Sequence, residues 1–247
     1  MKSVRYITII ALVFIGQMLS AQTKKSVESF NKVIISPHIE TTFVLGDEES
    51  VTILESTEAE DKINIEVKGE TLRVYLDDAK EITKHKKVII NGMKRKVPIY
   101  KNKVLTIVVT YKNLEALSLR GEQTTLCKSL IDVDAFRLKV YGESKVSFKD
   151  VSIKELDVTI YGESELTIEK GTIAHQKITA YGEGKINCVG VDNKNTKLTA
   201  YGEAEFTLNV SERLKVTAYG EAEVHYKGNP TIDRGIIIGE ARIRSVE

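Results

Sequence analysis

From residue 117 onward the chain repeats one short phrase about every 20 residues, a period that signals a solenoid. Leu138-Lys-Val-Tyr-Gly-Glu-Ser-Lys-Val-Ser-Phe148 is followed by Val158-Thr-Ile-Tyr-Gly-Glu-Ser-Glu-Leu-Thr-Ile168 and then by Ile178-Thr-Ala-Tyr-Gly-Glu-Gly-Lys-Ile-Asn-Cys188. Two further copies run from Leu198 to Leu208 and from Val216 to Tyr226. Degenerate copies open the array at Arg120-Gly121-Glu122 and close it at Ile238-Gly239-Glu240. The glycines therefore fall at 121, 142, 162, 182, 202, 220 and 239, with irregular end copies of the kind that capping requires.

Inside a copy the period is two. Leu138, Val140, Gly142, Ser144, Val146 and Phe148 are apolar or small, and Lys139, Tyr141, Glu143, Lys145 and Ser147 alternate with them. That is a strand with one buried face. The parity slips at Lys149-Asp150 and again at Lys154-Glu155, which predicts turns there and three short sides per coil. The expected fold is all-β: an N-terminal β region, residues 22–116, running into a parallel β-helix of about seven coils over residues 117–247. The glycines are expected either to bend the chain through positive φ or, preferably, to sit where a narrow coil interior has no room for a Cβ.

Stacked coils turn repeated residues into columns. Tyr141, Tyr161, Tyr181, Tyr201 and Tyr219 share one outward column, a candidate binding ladder for sugars or for a flat partner surface. Glu143, Glu163, Glu183, Glu203 and Glu221, with Glu122 and Glu240 at the ends, form a second. Like charges directly opposed across strands repel, so cations from the next column, Lys145, Lys185 and Arg242, are expected diagonally. Ca²⁺ between the carboxylates is the alternative, although the ligand-rich nonapeptide of calcium-binding β-rolls is absent. Cys127 and Cys188 lie three coils apart in one inward column, too far for a disulfide, and read as buried free thiols.

The N-terminal region also alternates, at Lys32-Ile35, Thr42-Leu45, Val51-Leu54, Ile63-Val67, Leu72-Leu76, Val88-Ile90 and Val104-Thr110. Asn91-Gly92 between Val88-Ile-Ile90 and Met93-Lys-Arg-Lys-Val97 is a two-residue hairpin signal. The hairpin carries Lys84, Lys86, Lys87, Lys94, Arg95 and Lys96, a candidate basic patch for anionic headgroups or acidic polysaccharide.

Lys and Arg total 36 against 35 acids, so no global field draws the chain to nucleic acid. Residues 1–21 read as an export signal, with Lys2 and Arg5 before the apolar stretch Ile7 to Gly16 and Ser20-Ala21 as cleavage site. No Cys follows to take a lipid anchor, and no transmembrane segment is expected. The four histidines are scattered, with no metal-binding pair, nucleophile elbow, phosphate loop or dinucleotide fingerprint.

The chain resembles the bacterial family called putative auto-transporter adhesin, head GIN domain, found in secreted proteins of Bacteroidetes-type organisms. The likeness is carried by Phe30-Asn-Lys-Val-Ile-Ile35, Leu45-Gly-Asp47 before Val51-Thr-Ile-Leu54, and Val67-Lys-Gly-Glu-Thr-Leu72. Leu105-Thr-Ile-Val-Val-Thr-Tyr111 leading to Leu114-Glu-Ala-Leu117 and the glycine repeats complete it. Where the family has Gly-Ser-Gly this chain has Tyr-Gly-Glu, and a membrane barrel is not expected before Glu247. The resemblance implies a β-helical fold and adhesion. The expectation is an exported binding or structural module, without cofactor, contacting surface glycan or protein through its outer face and open to homo-oligomerisation. The alternative is a polysaccharide lyase or hydrolase on a β-helix scaffold.

Overall fold

The computed structural model describes residues 23–246; the segment read as an export signal lies outside them. Those residues are all-β, with a single 3-10 turn at Glu60–Lys62. The repeat winds about six turns of parallel solenoid, one fewer than expected, because seven glycines bound only six intervals.

Pairing is in register from coil to coil. Leu138 faces Val158, Val158 faces Ile178 and Ile178 faces Leu198, so each inward apolar residue lies over its counterpart. These side chains are buried to within 1% and line one continuous core. Each aliphatic side chain taken out of water contributes about 1.5–3 kcal/mol, so the period-two alternation is itself the stabilising pattern. The three sides are a short one at Ile131–Val133, a long one to Tyr141, and Lys145–Phe148 beyond the glycine. The slip at Lys149-Asp150 breaks the strand as expected. The slip at Lys154-Glu155 does not: strand Val151–Tyr161 passes through it with two successive residues outward, a corner within a continuous strand.

The N-terminal strands belong to the same sheet. Lys32–Ile35 and Ile39–Leu45 pair in parallel with the first repeat, through Ala116–Gly121 and Thr125–Cys127. On their other side lie Thr71–Leu76 and Leu105–Tyr111, again parallel. Antiparallel strands Ser50–Ser56 and Ile63–Lys68 then close that end, and Thr23–Ser26 pairs outside Ser50–Ser56. The chain thus inserts an early segment between two later ones, an arrangement invisible to local alternation.

At the repeated glycines both expected constraints hold, but the crowding has a different source. Their φ values run from +106° to +131°. A Cβ on Gly142 would lie 2.3 Å from the carbonyl oxygen of Gly121, and one on Gly162 would lie 2.4 Å from that of Gly142. The obstacle is the backbone of the preceding coil along the stack, not the coil interior. Ser144 and Ser164 are buried beside these corners, and each donates its hydroxyl to the glycine carbonyl of the preceding coil at 2.8 Å, Gly121 and Gly142 respectively.

Cys127 and Cys188 are both free and buried. Desolvation pushes both thiols up, Cys188 to about 12, so they behave as small apolar groups.

Gly184 provides an internal control for the glycine argument, because its φ is not positive and a Cβ there would meet Ile186 and Ala180 at an ordinary 3.4–3.5 Å. Gly162→Ala is expected to destabilise the protein by roughly 2–3 kcal/mol or more, whereas Gly184→Ala should be neutral or stabilising by about 0.4–1 kcal/mol. Urea unfolding followed by far-UV circular dichroism measures both.

Candidate functional site

The long side of each coil presents three outward columns over the same strand. Arg137, Asp157, Lys177, Lys197 and Lys215 form the first, Lys139, Thr159, Thr179, Thr199 and Thr217 the second, and the five tyrosines the third. Parallel register makes the columns, and the single-residue alternation of a strand keeps them on one face.

The tyrosine rings stack with centroids 5.0, 4.8, 4.7 and 4.9 Å apart and planes within 5° of parallel. That geometry spends the ring faces on each other. What faces solvent is a row of ring edges and phenolic hydroxyls, with Tyr161, Tyr181 and Tyr201 about 40%, 37% and 38% exposed. A platform for a sugar ring to lie flat on an aromatic face is therefore not available along the column. Its ends are covered: the guanidinium of Arg120 sits 5.4 Å from the Tyr141 centroid, and Ile238 pairs with Tyr219. Glu81 bridges Arg120 and Arg73, which fixes Arg120 in place. Burial and the neighbouring Arg73 guanidinium lower the pKa of Arg120 from its ordinary value.

The last strand, Thr231–Ser245, carries an irregularity in its pairing: Val216 faces Arg234, but Ala218 faces Ile237. Gly235 and Ile236 stand opposite the single Thr217, one residue more than regular pairing needs. They end the threonine and tyrosine columns in a depression of about 500 Å³ lined by Lys197, Thr199, Tyr201, Lys215, Thr217, Asp233 and Arg234, among others.

Beyond the glycine bend stand the glutamates. Glu143, Glu163, Glu183, Glu203 and Glu221 are exposed and, among the described residues, form no ion pair within 4.0 Å. The expected diagonal cations turn instead to their own column, Lys145 to Glu165 at 3.4 Å and Lys185 to Glu205 at 3.1 Å. Only Arg242 reaches back, gripping Glu240 at 2.7 and 2.9 Å. Water screening is what lets the rest of the column stand. No group of three or more His, Cys, Asp or Glu side chains among the described residues is placed to hold a metal ion.

At the other edge of the long side the corner opens into a groove of about 880 Å³. Its rims are the cation column and a second column of Glu155, His175, Asn195 and Arg213; its floor is Phe136, Leu156, Gln176 and Thr196. Gln176 Nε2 donates to Thr196 Oγ1 at 2.8 Å, Thr196 Oγ1 donates to Asn193 Oδ1 at 2.5 Å, and Asn193 Nδ2 donates to the Ile173 carbonyl at 3.1 Å. The rim charges largely neutralise one another, Asp157 with Lys177 at 3.8 Å and Asp233 with Lys215 at 3.6 Å. This cation column was open to sequence reasoning, since its members lie four residues before each tyrosine.

The basic patch is far simpler. Strands His85–Ile90 and Met93–Pro98 pair only with each other, around Asn91 and Gly92 at φ +51° and +76°. Lys84 is held by Asp78 at 2.8 Å; Lys86, Lys87, Lys94, Arg95 and Lys96 have no acidic partner within 4.0 Å among the described residues.

The sequence model of the putative auto-transporter adhesin, head GIN domain, matches residues 29–230, most of the chain. The chain belongs to that family. Its fold is shared by crystal structures of similar extent. A putative adhesin from Bacteroides fragilis NCTC 9343 superposes with a TM-score of 0.75 at 18% identity, over 91% of this chain and 96% of that one. A putative lipid binding protein from Parabacteroides distasonis ATCC 8503 gives 0.66 at 18% identity, over 92% and 96%. A putative adhesin from Parabacteroides merdae ATCC 43184 gives 0.61 at 16%, over 92% and 96%. No curated protein matches the sequence. Membership makes the chain an adhesin-like binding module.

Because each inner tyrosine stacks on two neighbours, Tyr161→Ala is expected to cost about 1–3 kcal/mol, two pairs at roughly 0.5–1.5 each. Tyr161→Phe, which keeps both contacts, should unfold at the wild-type urea concentration.

Proposed function

We propose that the chain is an exported, non-enzymatic module of adhesin type that holds an extended surface glycan along its threonine and tyrosine columns. The observation that carries this reading is the row of aligned hydroxyls. Five phenols and four threonine hydroxyls, repeated at the coil spacing, make no hydrogen bond to protein among the described residues. A polymer of sugars presents hydroxyls at regular intervals and matches such a row, with Lys197, which has no acidic partner within 4.0 Å among the described residues, beside it to meet carboxylate or sulfate substituents.

Protein partners are served less well by this face. Protein interfaces are built around a desolvated, apolar and aromatic centre, whereas these rings expose edges and hydroxyls. The carbohydrate-cleaving alternative asks for a carboxyl group whose pKa is raised so that it keeps a proton to donate. Glu66 and Asp233 are held the other way: the Tyr75 hydroxyl and Lys68 hold Glu66 below its ordinary value, and Arg213 holds Asp233 below its own. A uniform stripe of glutamates also lacks the asymmetric constellation that catalysis needs.

A glycan array probed with the intact chain tests this. Tyr161→Phe, Tyr181→Phe and Tyr201→Phe combined keep the stack and remove three hydroxyls, and binding is expected to weaken at least about tenfold while the unfolding midpoint stays put. Unchanged binding by the triple variant would contradict the assignment. Release of shortened oligosaccharide from a bound glycan would move the enzymatic reading ahead.

A further inference from the structure

Neither strand of the hairpin at residues 85–98 has a buried residue. Its two strands form a sheet of their own, every residue from His85 to Lys87 and from Met93 to Lys96 is exposed, and an isolated two-stranded hairpin is marginal in water. Its base is nevertheless firm. Ala79 and Tyr100 are buried in the main core, Lys84 N donates to the Asp78 carbonyl at 2.8 Å, and Ile99 N donates to the Lys84 carbonyl at 2.9 Å. A rigidly mounted, uncovered hairpin is a device for presenting its tip to something else.

The residues say what that is. The tip is apolar: Ile89 is 72% exposed, Met93 57% and Ile90 42%. Behind it, cations gather without acidic relief, and the register sets Lys87 directly opposite Lys96, a like-charge pair that destabilises the free hairpin. No Asp or Glu occurs anywhere in the hairpin. An anionic partner relieves the charge, and only a partner with an apolar interior also rewards the tip. From Asn91 back to Lys87 is four residues of strand, about 13 Å, which carries the tip through the depth of about 5–10 Å that interfacial elements occupy. Lys87 and Lys96 then stand at headgroup level, and Lys94, opposite Ile89, reaches back to it along its aliphatic stem.

We propose that this hairpin docks on anionic lipid bilayers, inserting Ile89, Ile90 and Met93 while Lys86, Lys87, Lys94, Arg95 and Lys96 engage the headgroups. An acidic polysaccharide would answer the charges but leave the three apolar side chains in water. A second copy of the chain would bring the same cations against themselves.

The chain contains no tryptophan, so Ile89→Trp places a single reporter at the tip. Adding vesicles of phosphatidylglycerol and phosphatidylcholine should shift its emission to the blue, and vesicles of phosphatidylcholine alone should not. In co-sedimentation with the mixed vesicles, Lys87→Gln with Lys96→Gln should weaken binding about 25-fold, roughly fivefold per cation. Ile89→Ser, Ile90→Ser and Met93→Ser combined should abolish the insertion and release the chain from the vesicles. Far-UV circular dichroism checks that these exposed substitutions leave the fold intact. The assignment is overturned by a reporter that stays unshifted, or by vesicle binding that survives the triple serine variant. It is equally overturned if polygalacturonate captures the chain while the mixed vesicles do not, or if the apolar tip proves to mediate dimerisation in sedimentation velocity without vesicle binding.

Discussion

Each turn of the repeat closes against the one before it where a glycine carbonyl occupies the place that a Cβ would need, at 2.2–2.9 Å along the array from Gly142 to Gly239. The close approach requires both the positive φ and the missing side chain, and it sets the coils directly above one another with no sideways slip. Register follows from that, and the columns follow from register. The hydrophobic core supplies most of the favourable free energy, yet apolar alternation alone would tolerate coils displaced by two residues. The glycine corner, with Ser144 and Ser164 bonded to the glycine carbonyl of the preceding coil, removes that freedom.

Consequences on the surface are chemical. A tyrosine repeated at a fixed height over its neighbour must stack, and once stacked it offers an edge and a hydroxyl where a single exposed tyrosine would offer a face. The glutamates one step past the bend have no such mutual use and stand apart in water. Lys145 and Lys185 ignore them because Glu165 and Glu205, one coil along in their own column, lie closer to straight across than any diagonal.

Much of this is legible before folding is considered. The glycine spacing fixes the coil, the alternation names the buried residues, and Asn91-Gly92 marks a hairpin whose bounds differ from the expected ones by a few residues. What escapes is long-range. Nothing local says that Lys32–Ile35 stacks between Thr71–Leu76 and Ala116–Gly121, because all three runs alternate alike. Thr23–Ser26 has no apolar residue to announce a strand, and Glu81 reveals its grip on Arg120 only once a loop is brought over the first coil. The orientation of the rings depends on the backbone geometry at the corner, which a list of tyrosines does not contain. The corner groove and its cation column were within reach of the same spacing argument that found the tyrosines.

The central claim is the parallel, in-register stack, since both the hydroxyl row and the glutamate column exist only if it is right. Spin labels at Glu122→Cys and Glu221→Cys, with Cys127 and Cys188 buried beyond reach of the reagent, would measure it directly by double electron–electron resonance. Five coil steps predict a single narrow distance near about 24 Å. A broad distribution, or a separation beyond about 35 Å, five steps plus the reach of two labels, would contradict the stack and every column drawn from it.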